Sequence, residues 1–295
     1  MVLSYGGSIM NKLKHLIIEF MKILRPLNCF MTGLAILFTY LVLNSYNIRN
    51  YIDLVIGFST GFFASGAAML INDIIDLEVD RINKPWKPLP RGIFSVYSIR
   101  LLSITFLIVA ISINLILSSH LFLVAFIFSI IAYIYNYMRK YWWSHFLVSI
   151  STMGPFIYGL FLAGLPYSKI LFTIFFSIVV FLINTAREFT KSIGDIEGDL
   201  KLGYKTISTV YGVKTASKAS LIFSIAGSTL AVSIGIFGLA NLYYTIILGI
   251  AGSIYTYSAY KVYRDPSRDN VVKMKKLMIH MMLLALIGFL LSGLP

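Results

Sequence analysis

Apolar residues run along this chain in blocks of about twenty, parted by short polar joints, without the strict alternation of a half-buried strand. A helix needs about 20 mainly apolar residues to cross a bilayer core. Nine segments fit that length: 29–46, 52–75, 97–117, 121–138, 143–164, 168–188, 216–239, 241–260 and 276–294. Some joints are very short, such as Ser118-Ser119-His120 and Gly164-Leu165-Pro166. Segment 12–25 differs, because Lys12, Lys14, Lys22 and Arg25 are interleaved with Leu13, Ile17, Ile18, Phe20 and Ile23. That pattern predicts an amphipathic helix lying on the membrane surface. The expected fold is all-α: one polytopic membrane domain over residues 1–295 with nine transmembrane helices.

Composition sharpens this picture. The chain is 58% hydrophobic and 13% charged, with a mean hydropathy of +0.82, whereas soluble domains carry about 25% charged residues. A soluble globular enzyme, a disordered chain and a coiled coil are excluded. The single cysteine, Cys29, excludes a disulfide framework and any multi-cysteine metal centre. The N-terminal region lacks a short apolar stretch with a small-residue cleavage site, so no signal peptide is expected.

The net charge of +13 would suggest nucleic acid in a soluble protein, but here it follows the positive-inside rule and no nucleic-acid partner is expected. With the N-terminus cytoplasmic, 23 of the 25 Lys and Arg fall on the cytoplasmic side, and only Arg49 and Lys169 fall outside. A shift by one helix would destroy that asymmetry. Tyr46, Tyr51, Trp86, Trp142 and Trp143 sit near span ends, as an interfacial aromatic belt does.

Eight of the twelve acidic residues lie in two clusters. Asp73, Asp76, Glu78 and Asp80 end the second span; Glu188, Asp195, Glu197 and Asp199 follow the sixth. Both contain the pattern D-x-E-x-D, at 76–80 and 195–199, and both are followed by basic residues, a weak internal repeat on one membrane side. Positions i and i+4 share a helix face, so Asn72, Asp76 and Asp80 form one stripe. Backward it continues through Ala68, Ser65 and Gly61, small residues that permit close helix packing. Asp195 and Asp199 share the same spacing. Acids at a helix end are often simply solvated, but two copies holding most of the acid on one side point to function. Carboxylates so crowded raise one another's pKa values, and bound cations remove the conflict. Hard oxygen donors beside phosphate describe magnesium.

Basic groups surround these clusters. Lys84, Lys87 and Arg91 lie in a Pro-rich loop, Arg139 and Lys140 follow the fourth span, and Arg187 and Lys191 flank the second cluster. Carboxylates, cations and several Lys and Arg together suit a diphosphate held through metal. The four histidines show no metal-ligand spacing, and no nucleophile–base arrangement stands out.

Asn72-Asp-Ile-Ile-Asp-Leu-Glu-Val-Asp80, followed by Asn83-Lys-Pro and Lys87-Pro-Leu-Pro-x-Gly92, resembles the first motif of the UbiA superfamily of intramembrane prenyltransferases. Asp195-x-x-x-Asp199 resembles its second. The resemblance implies nine helices around a central cavity and two magnesium ions on the diphosphate of a polyprenyl donor. It implies Asn72, Asp76, Asp80, Asp195 and Asp199 as metal-binding, the four aspartates also as catalytic. Asp73, Arg25, Asn28, Lys84, Lys87, Arg139, Lys140, Arg187 and Lys191 are the candidates for binding diphosphate and substrate. The catalytic loops are expected at 76–92 and 189–214, facing the cytoplasm. Two positions depart from the family pattern: Ser192 stands where an acid is common, and Lys87 where arginine usually precedes Pro-Leu-Pro. Residues 24–33 and Glu197-Gly-Asp199 resemble the archaeal branch that makes digeranylgeranylglyceryl phosphate for ether lipids. That branch implies a geranylgeranyl donor and a lipid-alcohol acceptor, geranylgeranylglyceryl phosphate; an aromatic quinone precursor is the alternative acceptor.

Two other classes compete. A secondary transporter would place its acids near the bilayer midplane, whereas here they gather at one edge. A CDP-alcohol phosphotransferase would need Asp-Gly-x-x-Ala-Arg, which is absent. Oligomeric state is left open by the sequence. The topology is testable with cysteines placed at Ser118 and Ser267 in a Cys29→Ser background. Ser118→Cys should label from outside and Ser267→Cys from inside, and labelling of both from one side would refute nine spans.

Overall fold

The computed structural model describes residues 3–138 and 140–294, with side chains from residue 10 onward. Arg139, one of the candidate substrate-binding residues, lies outside the described residues, as does the C-terminal residue 295. Among the described residues there are helices and no strands. The long ones are α1 (Leu3–Leu24), α2 (Pro26–Leu43), α3 (Tyr51–Ile75), α5 (Val96–Ser112), α6 (Ser119–Ile134), α7 (Ser144–Leu162), α8 (Ile170–Gly194), α11 (Val213–Ile236), α12 (Leu242–Arg264) and α13 (Arg268–Leu291). Three short helices, α4 (Leu77–Asn83), α9 (Ile196–Lys201) and α10 (Ile207–Tyr211), lie where two catalytic loops were expected.

Local chemistry sets the boundaries. The side chains of Asn50, Ser95, Ser118 and Asn241 each accept a hydrogen bond from a backbone N–H in the first turn of α3, α5, α6 and α12. Among the described residues, eight helices are long and apolar enough to cross a membrane: α2, α3, α7, α11, α13, and α5, α6 and α8 with their flanking 3₁₀ turns. Helix α12 is about as long as its neighbours, but Tyr255-Thr-Tyr-Ser258 interrupts its apolar run. It packs between α11 and α13.

From α2 to α13, successive long helices pack side by side, and α13 returns to α2, which closes a ring. The ring is tight where glycine permits. A Cβ on Gly61 would come 2.9 Å from the Thr32 carbonyl oxygen, so α3 approaches the α2 backbone there without a side chain between them. The ring encloses a cavity of about 250 Å³ lined almost wholly by apolar residues, among them Met31, Ala35, Phe128, Phe156 and Met282. Gly61, Ser65 and Ala68, the small-residue stripe of α3, form part of its wall. Helix α1 packs on α2 and α3 and leaves Met10, Leu13, Ile17, Ile18 and Met21 exposed. That exposed row is the face an interfacial helix would set into lipid.

Candidate active site

The site lies at the end of the ring where α3 and α8 terminate. Both helices break at an aspartate. Asp76 (φ −82°, ψ 0°) closes α3 and opens α4. Asp195 (φ −104°, ψ 2°) closes α8 and opens α9. The i to i−4 ladder lapses at each break and resumes from the aspartate itself, whose N–H still reaches back (Asp76 to the Asn72 carbonyl, 2.9 Å; Asp195 to the Lys191 carbonyl, 3.2 Å) and whose carbonyl accepts the first bond of the next segment (from Asp80 N–H, 2.7 Å; from Asp199 N–H, 3.1 Å). The expected stripe is therefore a long helix with a bent final turn. Helix α8 also runs beyond the expected end at 188, carrying Glu188 and Lys191 within it.

Asn72, Asp73, Asp76, Asp80, Asp195 and Asp199 are all at most 4% exposed. Carboxylates this deeply buried need compensating charge, and it comes from an alternating chain of side chains. The Arg25 guanidinium binds Asp73. Lys87 bridges Asp73 (3.0 Å) and Asp80 (2.5 Å), and Lys84 bridges Asp80 (3.5 Å) and Asp195 (2.7 Å). The two acidic motifs, more than a hundred residues apart in sequence, thus meet through Lys84. Burial works to lower the Lys84 pKa, but Asp195 and then Asp80 outweigh it and hold the ammonium above the ordinary lysine value. Its charge therefore persists throughout the neutral range. Arg25 reaches Asp73 from a left-handed backbone conformation (φ 51°, ψ 63°) immediately before Pro26, a conformation that costs a non-glycine residue about 1–2 kcal/mol.

A second clip needs no charge. Asn83 is 1% exposed. Its side-chain amide donates to the Asp195 carbonyl (2.9 Å) and accepts from the Gly198 N–H (3.1 Å), while Arg268 of α13 donates to its backbone carbonyl (2.6 Å). A Cβ on Gly198 would meet the Asn83 Nδ2 at 2.5 Å, so glycine is required at that place in the second motif. Asn72 donates to Asn136 Oδ1 (3.0 Å), which ties α3 to the end of the α6 segment.

Glu188 forms a further cluster with Lys191 (3.2 Å) and Arg187 (3.6 Å) on α8. Glu188, Lys191, Asp195 and Asp199 line a small polar pocket with Asn72 and His145. This pocket shares Tyr135 and Val148 with the apolar cavity. Ser192 also lines it, bonded to Ser208 (2.6 Å).

The structure brings most of the candidates named from sequence together here. Lys140 stands apart: it is exposed, with its ammonium 5.4 Å from the Tyr141 ring and its carbonyl accepting from the Lys205 N–H. Asn28 sits beside Met69, next to Arg25. Sequence reasoning assigned no role to Asn83, Glu188 or His145. For Asn83 the signal was its place in the Asn-Lys-Pro run.

Among the described residues, no three His, Cys, Asp or Glu groups stand close enough to cage a metal ion by themselves. A divalent cation here would have to complete its shell with water and phosphate oxygens. Magnesium does that, taking one or two carboxylates plus substrate phosphates. The carboxylate donors are hard and oxygen-only, so they fit such an ion.

Comparison with known proteins settles the family. Residues 31–291 match the model of the UbiA prenyltransferase family. The digeranylgeranylglyceryl phosphate synthase of Thermococcus sibiricus is 36% identical over 289 residues, covering 93% of this chain and 96% of that protein. Its counterpart from Methanosphaera stadtmanae is 30% identical over 277 residues, covering 93% and 99%. Solved structures share the fold. One, from work on digeranylgeranylglyceryl phosphate synthase in membranes, has TM-score 0.71 at 23% identity, covering 95% of this chain and 99% of that one. A UbiA homologue from Archaeoglobus fulgidus bound to GPP and Mg²⁺ has TM-score 0.66 at 19% identity, covering 92% and 99%. The chain belongs to the UbiA prenyltransferase family. It is a prenyltransferase and a multi-pass membrane protein.

The Asn83 clip makes a prediction. Asn83→Ala should lower turnover at least about tenfold, because a buried, doubly bonded amide positions both motif segments. Gly198→Ala should do the same by steric contact. Wild-type turnover of both variants in a prenyl-transfer assay would show that the clip plays no part in positioning.

Proposed function

We propose that this prenyltransferase moves a geranylgeranyl group from geranylgeranyl diphosphate to the free hydroxyl of geranylgeranylglyceryl phosphate. The observation that carries the reading is the meeting of two acidic motifs, through Lys84, at the polar end of an apolar cavity. The relatives at 30% and 36% identity support the acceptor, since both are named for its product. We also propose that the chain crosses the membrane nine times and that the site faces the cytoplasm, the side that collects the basic residues.

In this reading Asn72, Asp76 and Asp80 of the first motif, with Asp195 and Asp199 of the second, hold magnesium, with two ions in the site. Bound there, magnesium supplies neutralisation of the diphosphate, which makes it a leaving group. Lys84, Lys87 and Arg25 now neutralise Asp73, Asp80 and Asp195. With metal on the carboxylates, the same cations serve the diphosphate oxygens. The donor's C–O bond would break with its electron pair on the diphosphate, and the acceptor hydroxyl oxygen would form the new C–O bond while its proton passes to the released diphosphate. The apolar cavity wall holds the prenyl chain and keeps water from capturing the allylic cation.

The decisive assay uses purified protein in detergent with magnesium and labelled donor. Asp76→Asn and Asp195→Asn should each lower turnover by about two orders of magnitude or more, and chelator should abolish it. Full activity of Asp76→Asn, or turnover in excess chelator, would sink the mechanism. With acceptors competing at equal concentration, the glyceryl phosphate should be prenylated first. Prenylation of 4-hydroxybenzoate in its place would keep the enzyme class and reject this acceptor.

A further inference from the structure

Helix α1 divides its surface three ways. The inner face is packed: Ile23 is fully buried with Leu70 and Ile71 of α3 and Leu89 of the Pro-rich loop. Beside it the Phe20 and Phe94 rings meet edge to face at 6.3 Å. A second face is apolar and exposed, with Met10, Leu13, Ile17 and Met21 on one helical stripe. Apolar exposure continues past the Arg25 turn into Leu27 and Phe30 of α2, a helix of membrane-crossing length. The medium that covers Leu27 and Phe30 is lipid, so the stripe on α1 meets the same lipid at its border. The rest of the exposed surface is basic, with Lys12, Lys14 and Lys22.

Charge on this helix is unbalanced. Its one acid is Glu19, which is 3% exposed. Glu19 binds Lys22 at 2.5 Å and faces Arg91 at 3.6 Å, so Lys12 and Lys14 are left without an acid on α1 to offset them. An apolar stripe bordered by surplus lysines fits acidic headgroups above acyl chains: the stripe sinks in, and the ammonium groups reach the phosphates. The same helix touches the ladder of the site twice. Arg25, directly after α1, binds Asp73, and Glu19 faces Arg91 in the loop that carries Lys84 and Lys87.

We propose that α1 docks on a bilayer surface of acidic lipids and, through Glu19 and Arg91, holds the Pro-rich loop in its working position. The partner is the headgroup layer, and prenyl transfer is faster where that layer is negative. Each lysine close to an acidic leaflet favours the seated helix by about fivefold.

The test uses the full-length protein in vesicles of phosphatidylcholine alone and in vesicles that also contain phosphatidylglycerol, with labelled donor and whichever acceptor supports transfer. Wild-type turnover should rise about threefold or more with the acidic lipid, and the rise should fade at high salt. Lys12→Gln and Lys14→Gln combined should lose most of the rise, yet match wild type in detergent. Glu19→Gln, checked for folding by thermal melting, should lose the rise by breaking the link to Arg91 while α1 still docks. Docking is read independently by a polarity-sensitive dye attached through Ile17→Cys in a Cys29→Ser background. The dye should shift to the blue in acidic vesicles, with or without Glu19→Gln, and much less with the two lysines replaced. Equal wild-type turnover in both vesicles, a rise that survives loss of both lysines or of Glu19, or a dye indifferent to acidic lipid would overturn the proposal. None of those results bears on the acceptor, which competing substrates decide separately.

Discussion

Everything at the working end of this protein answers to one constraint: a group of carboxylates is buried where water cannot screen them. Two unit charges 4 Å apart interact by about 4 kcal/mol at the effective dielectric of a protein edge, so five aspartates could not share this space unaided. The run Arg25–Asp73–Lys87–Asp80–Lys84–Asp195 solves the problem by alternation. Each cation but the first touches two acids, and the last crosses from one half of the chain to the other. The same charges that stabilise the protein without ligand are those that, in the proposed reaction, a metal-bound diphosphate would reorganise, so stability and the proposed chemistry draw on one set of residues.

Geometry follows from the helices that carry the acids. Long apolar helices set the depth, and the bends at Asp76 and Asp195 turn the final segments across the mouth of the cavity. Asn83 then fastens the two bent segments directly, by hydrogen bonds that do not depend on charge. Gly198 lets the two backbones come that close. Helix α1 is tied into the same framework, because its buried Glu19 lies 3.6 Å from Arg91 of the Pro-rich segment. Helix α1 and the site are therefore mechanically connected.

Much of this was legible in the sequence because the bilayer imposes a simple ruler. Blocks of twenty apolar residues had to become helices, and the segments at 29–46 and 52–75 became α2 and α3 almost as drawn. Helix α12 shows the limit, since its tyrosines and serines make its apolarity ambiguous while its packing between α11 and α13 is not. The spacing of Asn72, Asp76 and Asp80 exposed the first half of the site, and the repeat at Asp195 and Asp199 the second. The bends were not legible, because nothing in Asp76 or Asp195 breaks a helix by propensity alone. Asn83 makes its contacts 112 and 115 residues away, a pairing no local pattern reveals.

The claim beneath all of this is that Lys84 and Asp195 join two distant motifs into one site. A double-mutant cycle on thermal stability in detergent, with Lys84→Met, Asp195→Asn and the two combined, measures that joint without substrate or metal. The account predicts that each single change lowers the melting temperature, because each strands a buried charge or its partner. The double variant should then be no less stable than the worse single, a coupling of about 0.5–3 kcal/mol. Strictly additive losses would mean the two residues do not act on one another, and would contradict the account.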